Sequence, residues 1–141
     1  MKVKISAIIL SILFLSFCIS APKMTPQEEA YINDVLNTPL TFTVAKDDSE
    51  ETWGRIQSFV GKYSSMKLQT ATDFVLQTYN PTGSVPRYGY TATKTPMGDE
   101  VEFQVDCTYC NMFTRKEAIQ NAHILAYYAL TGEVNPRFVH K

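Results

Sequence analysis

Residues 87–107 read RYGYTATKTPMGDEVEFQVDC. Up to Thr95 the chain alternates Tyr88, Tyr90 and Ala92 against Arg87, Gly89, Thr91 and Thr93. After the tight reversal Pro96-Met97-Gly98-Asp99 it alternates Val101, Phe103, Val105 and Cys107 against Glu102, Gln104 and Asp106. A period of two on both arms, with one apolar and one polar face, is the pattern of an antiparallel hairpin that is packed on one side and wet on the other. The acid pair Asp99 and Glu100 at its tip reads as turn chemistry.

Working back from the hairpin, Asn80-Pro81-Thr82-Gly83 is a turn, and the loop runs on through Pro86. Residues 66–79 are rich in strand formers, with Leu68, Thr70 and Thr72 on one face and Phe74 and Leu76 on the same parity. Asp73 interrupts them, so a bulge or break is expected near Ala71 to Asp73. Leu40, Phe42 and Val44 alternate with Thr41, Thr43 and Ala45 as a short first strand.

Three helices frame these strands. Thr25-Pro26-Gln27-Glu28 is a capping box with Pro at the first helical position, and Asn37-Thr38-Pro39 stops that helix. Asp48 to Glu51 forms a second capping box, followed by Trp53, Ile56, Phe59, Val60 and Tyr63 at helical spacing. Thr114 to Glu117 forms a third, leading through Ala118, Ile119, Ala122, Leu125, Ala126, Ala129 and Leu130 to Gly132 as a left-handed cap. The only Trp lies on the apolar face of its helix, which favours a core role over a stacking platform for a ligand. The tail from Glu133, with Val134, Phe138 and Val139 around Pro136, reads as an edge strand or a loose end. The expected fold is α+β, a two-layer sandwich in which an antiparallel sheet of four or five strands carries two main helices on one face, plus a short N-terminal helix.

In element order, in its Trp-bearing first long helix and in the aromatic strand run DFVLQTYNP (residues 73–81), the stretch from residue 40 to 131 resembles the TATA-binding-protein-like, helix-grip class. More narrowly, it resembles the uncharacterised exported bacterial domains of that class. The resemblance brings no catalytic or ligand motif, so it carries over no functional residue, and folds of this kind host many activities.

The chain has 141 residues, 45% hydrophobic and 19% charged, enough for one domain with a buried core. Thirteen Lys and Arg against 14 Asp and Glu supply no basic field, which argues against a nucleic-acid partner. Lys2 and Lys4 precede an apolar run from Ile5 to Ile19, the order of a signal peptide and short of the roughly 20 residues a spanning helix needs. Residues 1–20 therefore read as a signal peptide, 21–39 as an N-terminal helix and linker, and 40–141 as a single domain. Cleavage after Ser20 leaves 11 basic and 14 acidic residues, a net charge of −3. Leu15-Ser16-Phe17-Cys18 also resembles a bacterial lipobox, with Phe17 departing from its small-residue position. Lipidation of Cys18 is thus a second route, and a lipid anchor there is the one membrane contact the sequence offers.

With Cys18 removed or acylated, Cys107 and Cys110 remain as a C-x-x-C pair, expected to form a disulfide in an oxidising compartment. So short a loop contributes only about 2 kcal/mol. Redox catalysis by the pair is the sharper alternative, although only 31 residues follow Cys110, too few for the elements a thioredoxin-like fold places after its motif. Haem attachment fails because Asn111 stands where His is required. A zinc finger using His123 fails because His140 lies 17 residues beyond it.

No catalytic residues, metal ligands or cofactor site are thus expected. The functional expectation is an exported, non-catalytic envelope or secreted domain that binds a protein partner or a small ligand, or else is displayed on a lipidated Cys18. The alternative is a thiol–disulfide oxidoreductase using Cys107 and Cys110. The expected binding surface is the wet sheet face and the loop between Tyr79 and Tyr90, with Tyr79, Tyr88 and Tyr90 as aromatic contacts, unless those tyrosines fill cross-strand pairs instead.

Overall fold

The computed structural model describes residues 23–141. The expected leader and Cys18 lie outside the described residues. The elements run α1 (Pro26–Asn37), β1 (Thr41–Ala45), α2 (Ser49–Tyr63), β2 (Leu68–Ala71), β3 (Val75–Thr78), β4 (Tyr88–Met97), β5 (Glu100–Tyr109) and α3 (Arg115–Thr131), with short 3-10 turns at Lys46–Asp48, Met112–Thr114 and Pro136–Phe138. The five strands form one antiparallel sheet in the order β1-β5-β4-β3-β2. This is the two-layer α+β sandwich expected from the sequence.

The central hairpin pairs without a slip from Met97 opposite Glu100 to Tyr88 opposite Tyr109. Gly98 takes φ +73° at its tip, a conformation that glycine adopts without strain. Val101, Phe103, Val105 and Cys107 of β5 all point into the core. There α3 packs on β5 and against both α2 and α1. Aromatic contacts tie α2 to the same face: Phe59 meets Tyr90 edge-on at 5.7 Å, and Trp53 lies 6.2 Å from Phe103. Contacts of this kind stabilise a core beyond the area they bury.

The break expected near Ala71 to Asp73 is a complete reversal, so β2 and β3 form a hairpin of their own. The Thr72 hydroxyl accepts the N–H groups of Phe74 and Val75 and closes that turn. The capping boxes at α2 and α3 are not made, whereas the one at Thr25 and Glu28 is. A 3-10 turn precedes each of those two helices, and Asn111 caps the second turn by accepting from Phe113 and Thr114. Ile119 and Leu130 stand exposed, and Ile124 fills the core instead. The tail is neither strand nor loose end. Asn121 binds both the C=O and the N–H of His140 at 2.9 Å, Gln120 donates to Phe138, and the Phe138 ring stacks on Tyr31.

Candidate functional site: a mixed cleft at the hairpin end

The alternation that buries Tyr88, Tyr90 and Ala92 also turns Lys94 towards the helices, where parity calls for an apolar side chain. The Lys94 side chain is 8% exposed and ion-paired with Glu50, the second residue of α2, whose own side chain is 82% exposed. A charge withdrawn from water is tolerated only with a partner, and here that partner remains in solvent.

Three segments hold this pair in place. The Lys94 backbone N–H donates to Phe74 C=O at 2.9 Å, carrying the β3 ladder past its last paired residue and setting Phe74 beside Lys94. The Lys46 N–H donates to Asp99 C=O at 3.0 Å, which ties the turn before α2 to the tip of the central hairpin. The Ser49 hydroxyl donates to Lys46 C=O at 2.7 Å and fixes the start of α2 over that tip. Between them lies a cleft of about 410 Å³. Its apolar walls are Trp53, Phe74 and Val101, and Lys46, Lys94, Glu50 and Asp73 supply its charges. The Trp53 indole N–H is buried without a hydrogen-bond partner, and Phe74 at the rim is 52% exposed. The size and the mixture of a few polar groups on an aromatic wall fall within the range of small-molecule sites.

The three tyrosines named by the sequence do not form a surface together. Tyr88 and Tyr90 are each 1% exposed and belong to the core, as the alternation they share with Ala92 requires; Tyr79 alone faces solvent. The Tyr88 hydroxyl donates to the Glu117 carboxylate, and burial followed by that bond pushes its pKa up. Burial pushes Tyr90 up as well, and the Cys107 thiol beside its hydroxyl adds to the shift.

The expected Cys107–Cys110 disulfide is not formed in this structure, and both thiols are free. β5 stays extended to Tyr109, so residues three apart stand about 10 Å from each other and face opposite ways, beyond the roughly 4.4 to 6.8 Å that a disulfide spans between Cα atoms. The Cys110 thiol meets Val85 C=O at 3.2 Å on the outside. Burial pushes the Cys107 thiol up to about 12, with the Asp106 carboxylate adding to it. His123 turns Nδ1 to Thr38 C=O at 2.8 Å, bridging α3 to the end of α1. Among the described residues no three His, Cys, Asp or Glu side chains gather as a metal-ligand set, and no helix is long and apolar enough to cross a membrane.

No protein family, curated protein or solved structure matches the chain. The residues the sequence reading passed over are Lys94, Glu50 and Phe74. The signal for Lys94 is present in the alternation itself, since Tyr88, Tyr90, Ala92 and Lys94 share one parity. Phe74 carries no such signal, because its exposure follows from the hairpin turn beside it.

Proposed function

We propose that the protein is an exported, non-catalytic binding module that takes a small ligand into the cleft between Trp53, Phe74 and Lys94. The observation that carries this reading is the lysine set on the core face of β4, next to an aromatic wall that reaches solvent at Phe74. A side chain needed only for packing at that position would be apolar. The apolar run behind Lys2 and Lys4 supports export, by signal-peptide cleavage after Ser20 or by lipidation of Cys18. Thiol–disulfide exchange by the pair has less support: the Cys107 thiol is buried with its pKa raised, and the extended strand holds it about 10 Å from Cys110, too far for one thiol to resolve a mixed disulfide on the other.

Trp53 is the only Trp in the chain, so its emission reports on the cleft alone. Titration with a panel of small aromatic acids, amines and neutral compounds should give a saturable change with at least one of them. Phe74→Ser should weaken that response while leaving the fold intact. A panel that never moves Trp53 emission overturns the cleft as the site. Intact mass of protein recovered from its native compartment tests export: a chain starting at Ala21 or at acylated Cys18 supports it, and a retained Lys2 and Lys4 does not.

A further inference from the structure

We infer that the ligand is a small organic monocarboxylate with a flat apolar body, and that Glu50 is a built-in competitor for the Lys94 ammonium. This rests on the cleft reading above and names its substrate class. Lys94 is more than nine-tenths buried, and its ion-pair partner among the described residues is a carboxylate that water can reach from almost every side. Glu50 therefore loses little when it swings outward, because its own charge is already hydrated. A carboxylate arriving with an apolar body attached would meet the same ammonium from within the cleft, where less water competes and the charge-assisted bond is stronger.

The remaining charges set how many negative charges the guest carries. With Glu50 turned out, the wall holds the ammonium groups of Lys46 and Lys94 and the single carboxylate of Asp73, a surplus of one positive charge. That surplus matches a monoanion, and Asp73 beside the aromatic rim disfavours a second acid group at that end. Trp53, Phe74 and Val101 form the apolar surface for the guest's body. A volume of about 410 Å³ admits a fused aromatic ring system. A folded polypeptide segment would need a longer groove.

The test follows the single indole N–H cross-peak of Trp53 in ¹H–¹⁵N spectra of the full protein. Three probes of one shape are titrated: 2-naphthoate, 2-naphthylmethanol and 2-naphthylmethylammonium. Naphthoate should shift the peak saturably and bind at least about tenfold more tightly than the alcohol, with the ammonium weakest. Glu50→Gln removes the competitor and should tighten naphthoate by about threefold. Lys94→Met should abolish the preference for naphthoate over the alcohol. Equal binding of the three probes overturns the carboxylate assignment and leaves the cleft standing as an apolar site. Weaker naphthoate binding in Glu50→Gln overturns the competitor role. If no probe moves the peak, the cleft reading fails as well. Should Lys94→Met not fold, the solvent-facing Glu50→Gln change still decides.

Discussion

Thr78 and Gly89 approach so closely across β3 and β4 that a Cβ on Gly89 would stand 2.6 Å from the Thr78 hydroxyl oxygen. That oxygen cannot turn away freely, because it accepts the Tyr90 backbone N–H at 2.9 Å in place of a carbonyl of the sheet ladder. The Thr108 hydroxyl at 2.7 Å and the Tyr79 carbonyl at 2.9 Å close the other sides. Gly89→Ala should therefore destabilise the protein by about 2 to 3 kcal/mol through overpacking, seen as a lower urea midpoint with an unchanged slope. Thr78→Val should cost about 1 to 3 kcal/mol for a different reason, leaving the buried Tyr90 N–H without a partner. A neutral Gly89→Ala change would mean that the close approach is not present in solution.

The two thiols should separate cleanly in labelling. Cys110 is partly exposed, and Cys107 is buried on the core face with its pKa pushed up to about 12. Reduced, folded protein at pH 8 should take up one alkyl group, at Cys110, and a second only in denaturant; mass spectrometry of the labelled peptides reads both. The bond expected from the sequence requires β5 to leave its extended path, so an oxidised form should lose the pairing of Tyr109 with Tyr88 and of Thr108 with Gly89. Faster amide exchange at those residues in the oxidised protein is the sign to look for.

Stability should decline on the alkaline side. A thiol in the unfolded chain titrates near its ordinary value of about 8.5, while Cys107 holds its proton up to about 12. Below pH 8 both states keep the proton, and stability does not depend on this group. Between about pH 9 and 12 the unfolded state binds fewer protons than the folded one, so stability falls by as much as about 1.4 kcal/mol per pH unit. Tyr88 and Tyr90, also pushed up by burial, add to the slope once unfolded tyrosines titrate near pH 10. Urea midpoints at pH 8, 9 and 10 give the slope, and Cys107→Ala should flatten it between pH 9 and 10. An unchanged slope in that variant would assign the alkaline loss to other groups.

What the sequence makes legible is what periodicity controls. Period two over residues 88–107 places Val101, Phe103, Val105, Tyr88, Tyr90 and Ala92 correctly, because one apolar face leaves no alternative register. The same rule carried one step further places Lys94 on that face, so half of the cleft is readable in the alternation. Glu50 and Phe74 are not, since they reach Lys94 from elements 44 and 20 residues away along the chain. Their approach depends on the Thr72 turn, which the sequence marks as a break without fixing its direction, and on the bond from Lys46 to Asp99, which leaves no local pattern. Of the three capping boxes only that of Thr25 and Glu28 closes, because Glu51 is drawn to Arg55 along its own helix and Glu117 across to Tyr88.

The C-terminal tail should come loose through one side chain. Asn121, fully buried on α3, donates to His140 C=O and accepts the His140 N–H, both at 2.9 Å, so a single amide satisfies two backbone groups of the last residues. Val139 is thereby held in the core and Phe138 against Tyr31. Asn121→Ala removes both bonds and opens a small void, a loss of about 2 to 3 kcal/mol. Asn121→Leu fills the volume and restores none of the bonds, so the two variants separate packing from clamping. If the clamp dominates, both should expose residues 139–141 to carboxypeptidase and speed exchange of the His140 amide. If packing dominates, Asn121→Leu should keep the tail protected. Because His140 lies within 4.0 Å of Glu117, which in turn holds the Tyr88 hydroxyl, tail release should also broaden the Tyr88 ring signals, while the indole signal of Trp53 at the other end of the sheet stays unchanged.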